Sequence, residues 1–236
     1  MADITGDQHV QSEVLEGLAT AVNHRRWFVE LALPYLGNDP IEIGSGLGDY
    51  ALEWARHCER FTATEADPER LIALKERLAR QPNIEVRQML LPTSDEADYT
   101  AALAYNVLEH ITDDRAAAAC MAGLVRPGGA VLVIVPAFPF AMSPVDLATG
   151  HVRRYTRRSL ERVLSDAGLR VEQLYYANAL GLLGYYLATS VLHLSPKEGR
   201  MVKVYDSVVL PTTKAVERVV RPPFGQSVFA VARRPA

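Results

Sequence analysis

Seven residues near the start of the chain, Glu42-Ile43-Gly44-Ser45-Gly46-Leu47-Gly48, set an acid before glycines at alternating positions. Glycine reaches positive φ at little steric cost and lets a backbone approach a guest that a Cβ would hold off. A strand running into such a turn and then into a helix aims free N–H groups at an anionic or polar ligand. Two histidines, His110 and His151, are the proton-acceptor candidates, because imidazole titrates near neutrality. His110 has a second reading, as a structural residue that caps or packs. His151 belongs to the run Gly150-His151-Val152-Arg153-Arg154-Tyr155-Thr156-Arg157-Arg158-Ser159. Forked guanidinium donors suit carboxylate or phosphate, so Arg153, Arg154 and Tyr155 are candidates for holding an anionic molecule. A solvated basic helix turn beside a hinge accounts for the same residues.

The elements that must position these groups alternate along the chain. A helical pattern from about Val10 to Leu36 ends at Gly37-Asn38-Asp39-Pro40. An apolar strand then leads into the glycine turn, and a helix starts at about Asp49-Tyr50. Phe61 to Glu65 reads as a second strand, and Asp67-Pro68 as the N-cap and first turn of a helix through Leu78. Ile84 to Met89 is a third strand and Thr100 to Tyr105 a fourth. Thr112-Asp113-Asp114 opens an alanine-rich helix with acids well placed in its first turn. Arg126-Pro127-Gly128-Gly129 is expected to end it before a fifth strand from Ala130 to Val135. After a long irregular stretch from Ala137 to Tyr155, a helix from about Thr156 closes at Gly168. Strands from Leu169 to Tyr176 and Gln226 to Arg233 complete the pattern.

Alternation of this kind predicts an α/β fold with a parallel, doubly wound sheet covered on both faces. Ligands bind such sheets beyond the carboxyl ends of the strands, near the topological switch point. The glycine turn, Glu65, Met89 and Asn106 all fall at those ends. The 236 residues are read as a single domain, with a helical cap at 1–39, a ligand-binding core at 40–136 and acceptor-side elements at 137–236.

Apolar residues make up 49% of the chain and charged residues 22%, an ordinary balance for a globular protein. The net charge of −3 gives no global attraction for nucleic acid. Cys58 and Cys120 lack metal-ligand spacing and read as core residues of a reducing compartment. No metal ligands are expected. The acidic, polar N-terminus carries no basic stretch before an apolar run, which points to the cytoplasm.

Taken in order, these residues resemble the class I S-adenosylmethionine-dependent methyltransferases, of the small-molecule kind. Glu42-Ile43-Gly44-Ser45-Gly46-Leu47-Gly48 looks like the family's first motif, E/D-x-G-x-G-x-G. Glu65 follows at the second strand end, Asn106-Val107-Leu108-Glu109-His110 after the fourth, and Leu124-Val125-Arg126-Pro127-Gly128-Gly129 before the fifth. The match covers about residues 20 to 170. It implies a Rossmann-like, seven-stranded sheet with helices on both faces, an N-terminal helical segment and a helical insertion before the last strand. A nicotinamide dinucleotide domain would need a third glycine at Leu47 or Asp49, which this chain lacks.

The resemblance implies roles for individual residues. Gly44, Ser45 and Gly46 would pack under the methionine portion of S-adenosylmethionine, and Glu42 would orient its amino group. Glu65 would accept from both ribose hydroxyls. Ala66, Met89 and Leu90 would border the adenine, and Asn106 would line the methionine side. Family members often carry an acid at or beside Met89. Its absence here shifts adenine recognition to backbone or Gln88. Related enzymes have a similar H-x-R-R-Y/F-T run, which favours an acceptor-site role for Arg153, Arg154 and Tyr155.

The apolar stretch from Ala177 to Leu194 has three readings: a core or dimer helix, a wall for a hydrophobic acceptor, or a peripheral membrane contact. The expected activity is methyl transfer to oxygen or nitrogen of a small molecule such as a secondary metabolite, a lipid-linked compound or a quinone-like compound. A non-catalytic cofactor-binding or dimerisation scaffold is the opposing class. Nucleic acid is disfavoured as substrate, since no D/N-P-P-Y/W run follows the fourth strand.

Overall fold

A computed structural model describes residues 21–93, 96–186 and 205–236. Helix α1, Val22–Ala32, buries Trp27, Phe28, Val29 and Ala32, and a 3-10 turn at Leu33–Tyr35 containing Pro34 ends it. Residues 10–20 of the expected helix lie outside the described residues. The chain continues through β1 (Ile41–Ile43), α2 (Asp49–Trp54), β2 (Phe61–Glu65), α3 (Pro68–Leu78) and β3 (Ile84–Gln88). There follow β4 (Tyr99–Tyr105), α4 (Asp114–Leu124), β5 (Val125–Pro136), α5 (Pro144–Ala148), α6 (Arg157–Asp166) and β6 (Arg170–Ala177). Helix α7 (Ala179–Tyr186), a π-helical turn at Tyr205–Val209, α8 (Leu210–Glu217) and β7 (Ser227–Arg233) complete it.

Local chemistry sets several boundaries. Asp67 caps α3 by accepting from the Arg70 N–H at 2.8 Å, with Pro68 in the first turn. Asp113 caps α4 in the same way through the Ala116 N–H. Thr156 and Ser159 form a reciprocal capping box at α6, and Gly168 follows its end at φ +77°.

The seven strands lie in the order β3-β2-β1-β4-β5-β7-β6. Strands β1 to β5 pair in parallel, with the order reversing between β1 and β4. Strand β7 departs from the expected parallel sheet: it runs antiparallel to both β5 and β6. Ser227 pairs with Ala177, so the chain re-enters the sheet beside the end where β6 left it. No crossover along the length of the sheet is then needed. A second departure lies at β5, which begins at Val125 rather than Ala130, with Val125 paired to Tyr99 across a register shift.

Side chains alternate across β4 and β5 to the two faces of the sheet. Ala102, Ala104, Val131, Val133 and Val135 pack with Met121 and Leu124 of α4 and Leu160 and Leu164 of α6. Ala101, Leu103, Tyr105, Leu132 and Ile134 pack with Phe28, Trp54 and Leu74 from α1, α2 and α3. Burial on both faces is why these strands read as unbroken apolar runs.

Helix α7 takes up the first part of the apolar stretch, and residues 187–194 lie outside the described residues. Among the described residues no helix is long and apolar enough to cross a membrane.

Candidate active site

Two buried acids stand at the carboxyl ends of β1 and β2. Glu42 is 2% exposed, and Ser45 Oγ donates to its Oε2 at 2.7 Å. Burial pushes its carboxyl up to about 8, against the Ser45 hydrogen bond, with the nearby Glu65 charge adding to the rise. Glu65 Oε2 accepts from the Gly46 N–H at 2.9 Å. Its Oε1 accepts from the N–H groups of Ala66 and Asp67 at 3.1 and 3.0 Å, and the Arg70 guanidinium lies 3.4 Å away. One carboxylate therefore ties the glycine turn to the end of the neighbouring strand.

The glycines of the turn are conformationally required. Gly44 has φ +69°, and a Cβ there would stand 2.9 Å from Val107 Cγ2. Gly48 caps α2 at φ +83°, and a Cβ there would meet Leu74 Cδ1 at 2.8 Å. The backbone can thus lie against Val107 on one side and the α3 face on the other.

Ladder-like bonds join the strand ends to one another. The Ser45 N–H donates to the Thr64 carbonyl at 2.6 Å and the Met89 N–H to the Glu65 carbonyl at 3.2 Å. The Asn106 N–H reaches the Ile134 carbonyl at 2.8 Å. Asn106 is exposed and left-handed at φ +55°. Met89 is buried in the core, whereas Leu90 is exposed, and Gln88 Nε2 donates to the Ala66 carbonyl at 3.3 Å. Ala66 is half-buried beside Glu65.

The stretch 137–155 is a loop closed at its base. Ala137 pairs with Tyr155, the Phe138 N–H donates to the Tyr155 carbonyl, and the Tyr155 N–H to the Pro136 carbonyl. Inside it Ser143 and Asp146 form the capping box of α5. Asp146 is also the hub of the loop: Arg154 donates to its Oδ1 through Nε at 3.0 Å and through Nη2 at 2.8 Å, and Nη2 lies 3.1 Å from its Oδ2. His151 Nδ1 lies 2.7 Å from Asp146 Oδ1. Burial works to raise the Asp146 carboxyl, but the His151 and Arg154 partners outweigh it and hold it well below the ordinary carboxylate range.

The three residues expected to hold an anionic acceptor are turned to other work. Arg154 is 7% exposed and spends its donors on Asp146 and the Ala137 carbonyl. Tyr155 is 2% exposed, and its hydroxyl donates to Asp114 Oδ2 at 2.8 Å. Arg153 is half-buried and bonds the Thr112 carbonyl at 2.6 Å and Asp114 at 2.6 Å. Arg153 and Tyr155 anchor the loop to the start of α4, and Arg154 ties it to its own base at Ala137. The sequence shows a basic cluster but not its carboxylate partners, Asp114 and Asp146, which lie at separations that only the fold closes.

The two histidines do come together. His110, from the 3-10 turn Leu108–His110, and His151 pack edge to face with ring centroids 4.7 Å apart. Burial pulls the His110 imidazole down to about 4, and His151 adds to that lowering. Next to them Glu109 is 0% exposed. Burial pushes its carboxyl up to about 7, against the opposing pull of His151. The backbone of this turn is stitched to the loop, because the Val152 N–H donates to the Glu109 carbonyl at 2.8 Å. Surface concavities lined by Asp39, Arg60 and Asn83, and by Arg157, Glu161 and Tyr176, lie away from this cluster.

A family model described as a methyltransferase domain matches residues 24–174, more than half of the chain. The chain belongs to this methyltransferase family. It is an S-adenosylmethionine-dependent methyltransferase with a Rossmann-like fold. No curated protein sequence matches this methyltransferase. Solved structures that resemble it share the fold. One is the complex of the Haloferax volcanii Trm112 methyltransferase activator with a methyltransferase, at TM-score 0.63 and 16% identity, covering 96% of this chain and 98% of that one. Geranyl diphosphate methyltransferase in complex with S-adenosylmethionine aligns at TM-score 0.62 and 16% identity, covering 87% and 84%. An S-adenosylmethionine-dependent methyltransferase from Mesorhizobium loti aligns at TM-score 0.59 and 15% identity, covering 87% and 95%.

Asp146 and Arg70 of this methyltransferase are not among the residues that the sequence singles out, and Glu109 stands there only as part of a motif. The signal for Asp146 was present in Ser143-Pro144-Val145-Asp146, a capping-box spacing with proline at the first helical position.

Proposed function

We propose that this methyltransferase transfers the methyl group to an oxygen or nitrogen of a small-molecule acceptor that approaches His110 and His151. The observation that carries this reading is the meeting of the two imidazoles at the carboxyl end of β4, with His151 anchored by Asp146. An ionised carboxylate only accepts, so the proton on His151 sits at Nδ1 and Nε2 keeps a lone pair. Such a group can take the proton that an acceptor hydroxyl or ammonium must lose. A positioned base of this kind adds roughly 10²–10⁴-fold to the rate.

The cofactor side rests on the acids and glycines. A buried, proton-bearing Glu42 suits a ligand ammonium, which would draw the carboxyl into its charged form. Gly44, at φ +69° with Val107 where a Cβ would stand, lets the turn take the bend that would present its backbone to the methionine portion. Glu65 Oε2, which accepts from the Gly46 N–H, keeps a lone pair for a ribose hydroxyl, while Oε1 is taken up by Ala66, Asp67 and Arg70. Ala66, Met89 and Leu90 would border the adenine, and Asn106 would line the methionine side. When bound, S-adenosylmethionine supplies a methyl group already activated on a sulfonium. The protein's share is orientation, worth ~7–11 kcal/mol when geometry is good.

An aromatic row supports an acceptor with an apolar portion. Phe138 stacks on Tyr176 at 4.7 Å and lies 5.2 Å from Phe140, which meets Tyr186 edge-on at 6.1 Å. Geranyl diphosphate methyltransferase, similar in fold, is named for an acceptor of that character. The free cysteines Cys58 and Cys120 fit a cytoplasmic setting.

The test is a radiolabelled methyl-transfer screen over hydroxylated and amino-bearing small molecules, with His151→Ala and His110→Ala alongside. Turnover that falls ~10²-fold or more in His151→Ala, with cofactor affinity kept, supports the reading. Label appearing only in protein or nucleic acid overturns it.

A further inference from the structure

The cluster around His151 holds a carboxylate that nothing described so far employs. Glu109 is 0% exposed, and neither of its carboxylate oxygens has a hydrogen-bond partner among the described residues. A buried carboxyl group left unsatisfied is costly, and native structures seldom keep one without a purpose. One ligating atom each of Glu109, His110 and His151 lie within 4.8 Å of one another.

We propose that Glu109, His110 and His151 form a binding site for one divalent transition-metal ion of the zinc type. Two imidazoles and one carboxylate make a donor set used for catalytic zinc and for related first-row metals, and it leaves coordination positions open. With metal–ligand bonds of ~2.0–2.2 Å, donor atoms in a tetrahedral site stand ~3.3 Å apart. Closing from the observed spacing needs side-chain movements of about 1 Å, shared among the fully buried Glu109 and the half-buried His110 and His151.

The supporting contacts are those that metal-binding histidines need. Such histidines give their other ring nitrogen to a carboxylate or a backbone carbonyl, which fixes the tautomer and aims the lone pair. Asp146 does this for His151 at 2.7 Å, and His110 makes a hydrogen bond with the Gly150 backbone. Asp146 is itself held by Arg154 and Ser143, so the orientation of His151 is fixed by a buried network. The Val152–Glu109 backbone bond locks the two ligand-bearing segments together. For the fate of the open position the inference rests on the small-molecule reading: an acceptor hydroxyl or carboxylate oxygen is the donor that fits there. With an ion bound, the His151 Nε2 lone pair would go to the metal, which would itself ease proton loss from the acceptor.

The experiment uses the full chain, free of affinity tag and stripped with chelator. Cobalt(II) is added as an optical probe, and zinc(II) by calorimetry, with cofactor binding measured separately. One equivalent of metal is expected, with visible cobalt bands of a low-coordinate site. Glu109→Gln and His151→Asn should each weaken zinc affinity by ~100-fold or more, and Asp146→Asn by ~10–100-fold. His57→Ala, in the 3-10 turn Ala55–His57 that follows α2 and exposed there, should leave it unchanged. His151→Asn, at a half-buried position, keeps the test interpretable where Glu109→Gln fails to fold, as checked by circular dichroism. Absence of saturable binding, or binding equal in parent and both ligand variants, overturns the site. S-adenosylmethionine binding and turnover that persist without metal would then leave the methyl-transfer reading standing alone.

Discussion

Asp146 Oδ1 lies 2.7 Å from His151 Nδ1 and also accepts from the Arg154 guanidinium at 2.8 Å. One buried carboxylate thereby fixes the tautomer of an imidazole and neutralises a buried cation. The loop that carries all three is closed at Ala137 and Tyr155, so the chemistry at its tip is set by interior bonds.

Removing one partner of that pair should act on stability first. Arg154→Ala leaves Asp146 without its cation, and single truncations of buried ion pairs cost roughly 3–5 kcal/mol. Urea denaturation should show a loss in this range, with acceptor KM within about twofold of the parent in the folded fraction. A large rise in KM at unchanged stability would return Arg154 to the role of an anion clamp.

Glu42 should couple cofactor binding to proton release. Its folded pKa of about 8 leaves it mostly protonated at pH 7, and a ligand ammonium favours the charged form. Calorimetry in buffers of different ionisation enthalpy should report up to one proton released per cofactor, lost in Glu42→Gln. Binding enthalpies that do not depend on the buffer would remove the ammonium from Glu42.

The same group sets a stability trend. A carboxyl whose folded pKa is raised is deprotonated more readily when unfolded, so its contribution falls as pH rises from about 4.5 to about 8. The slope is roughly 1.4 kcal/mol per pH unit between those limits. Parent and Glu42→Gln melting curves should diverge across that window, with the parent losing more. Parallel curves would contradict the raised value.

Glu65→Gln keeps the shape of the side chain while removing its charge. Hydrogen bonds to a charged group contribute about 1.5–3 kcal/mol, so affinity for S-adenosylmethionine and S-adenosylhomocysteine should fall ~10–100-fold. Equal binding by mutant and parent would falsify the cofactor-site assignment.

Gly44→Ala forces an alanine to φ +69° with its Cβ 2.9 Å from Val107. A loss of ~1–3 kcal/mol is expected, together with weakened cofactor binding. Val107→Ala in the same chain should recover only part of it, since the backbone strain stays. Full recovery would show that space rather than φ is limiting.

The sequence by itself determined the strands, most helix caps and the glycine turn, because these depend on neighbours a few residues apart. Asp67-Pro68, Thr156 with Ser159, and the unbroken apolar run of β5 carry their signals locally. Glu42 and Glu65 were legible as acids at strand ends for the same reason. The tertiary structure alone decided which charges meet. Arg154 and Tyr155 look like ligand-binding residues until Asp146 and Asp114 take up their donors across 8 and 41 residues of chain. It also decided that β7 runs antiparallel and that Glu109 is enclosed beside two histidines. Periodicity records which face of an element is buried, but not which polar group waits there as a partner.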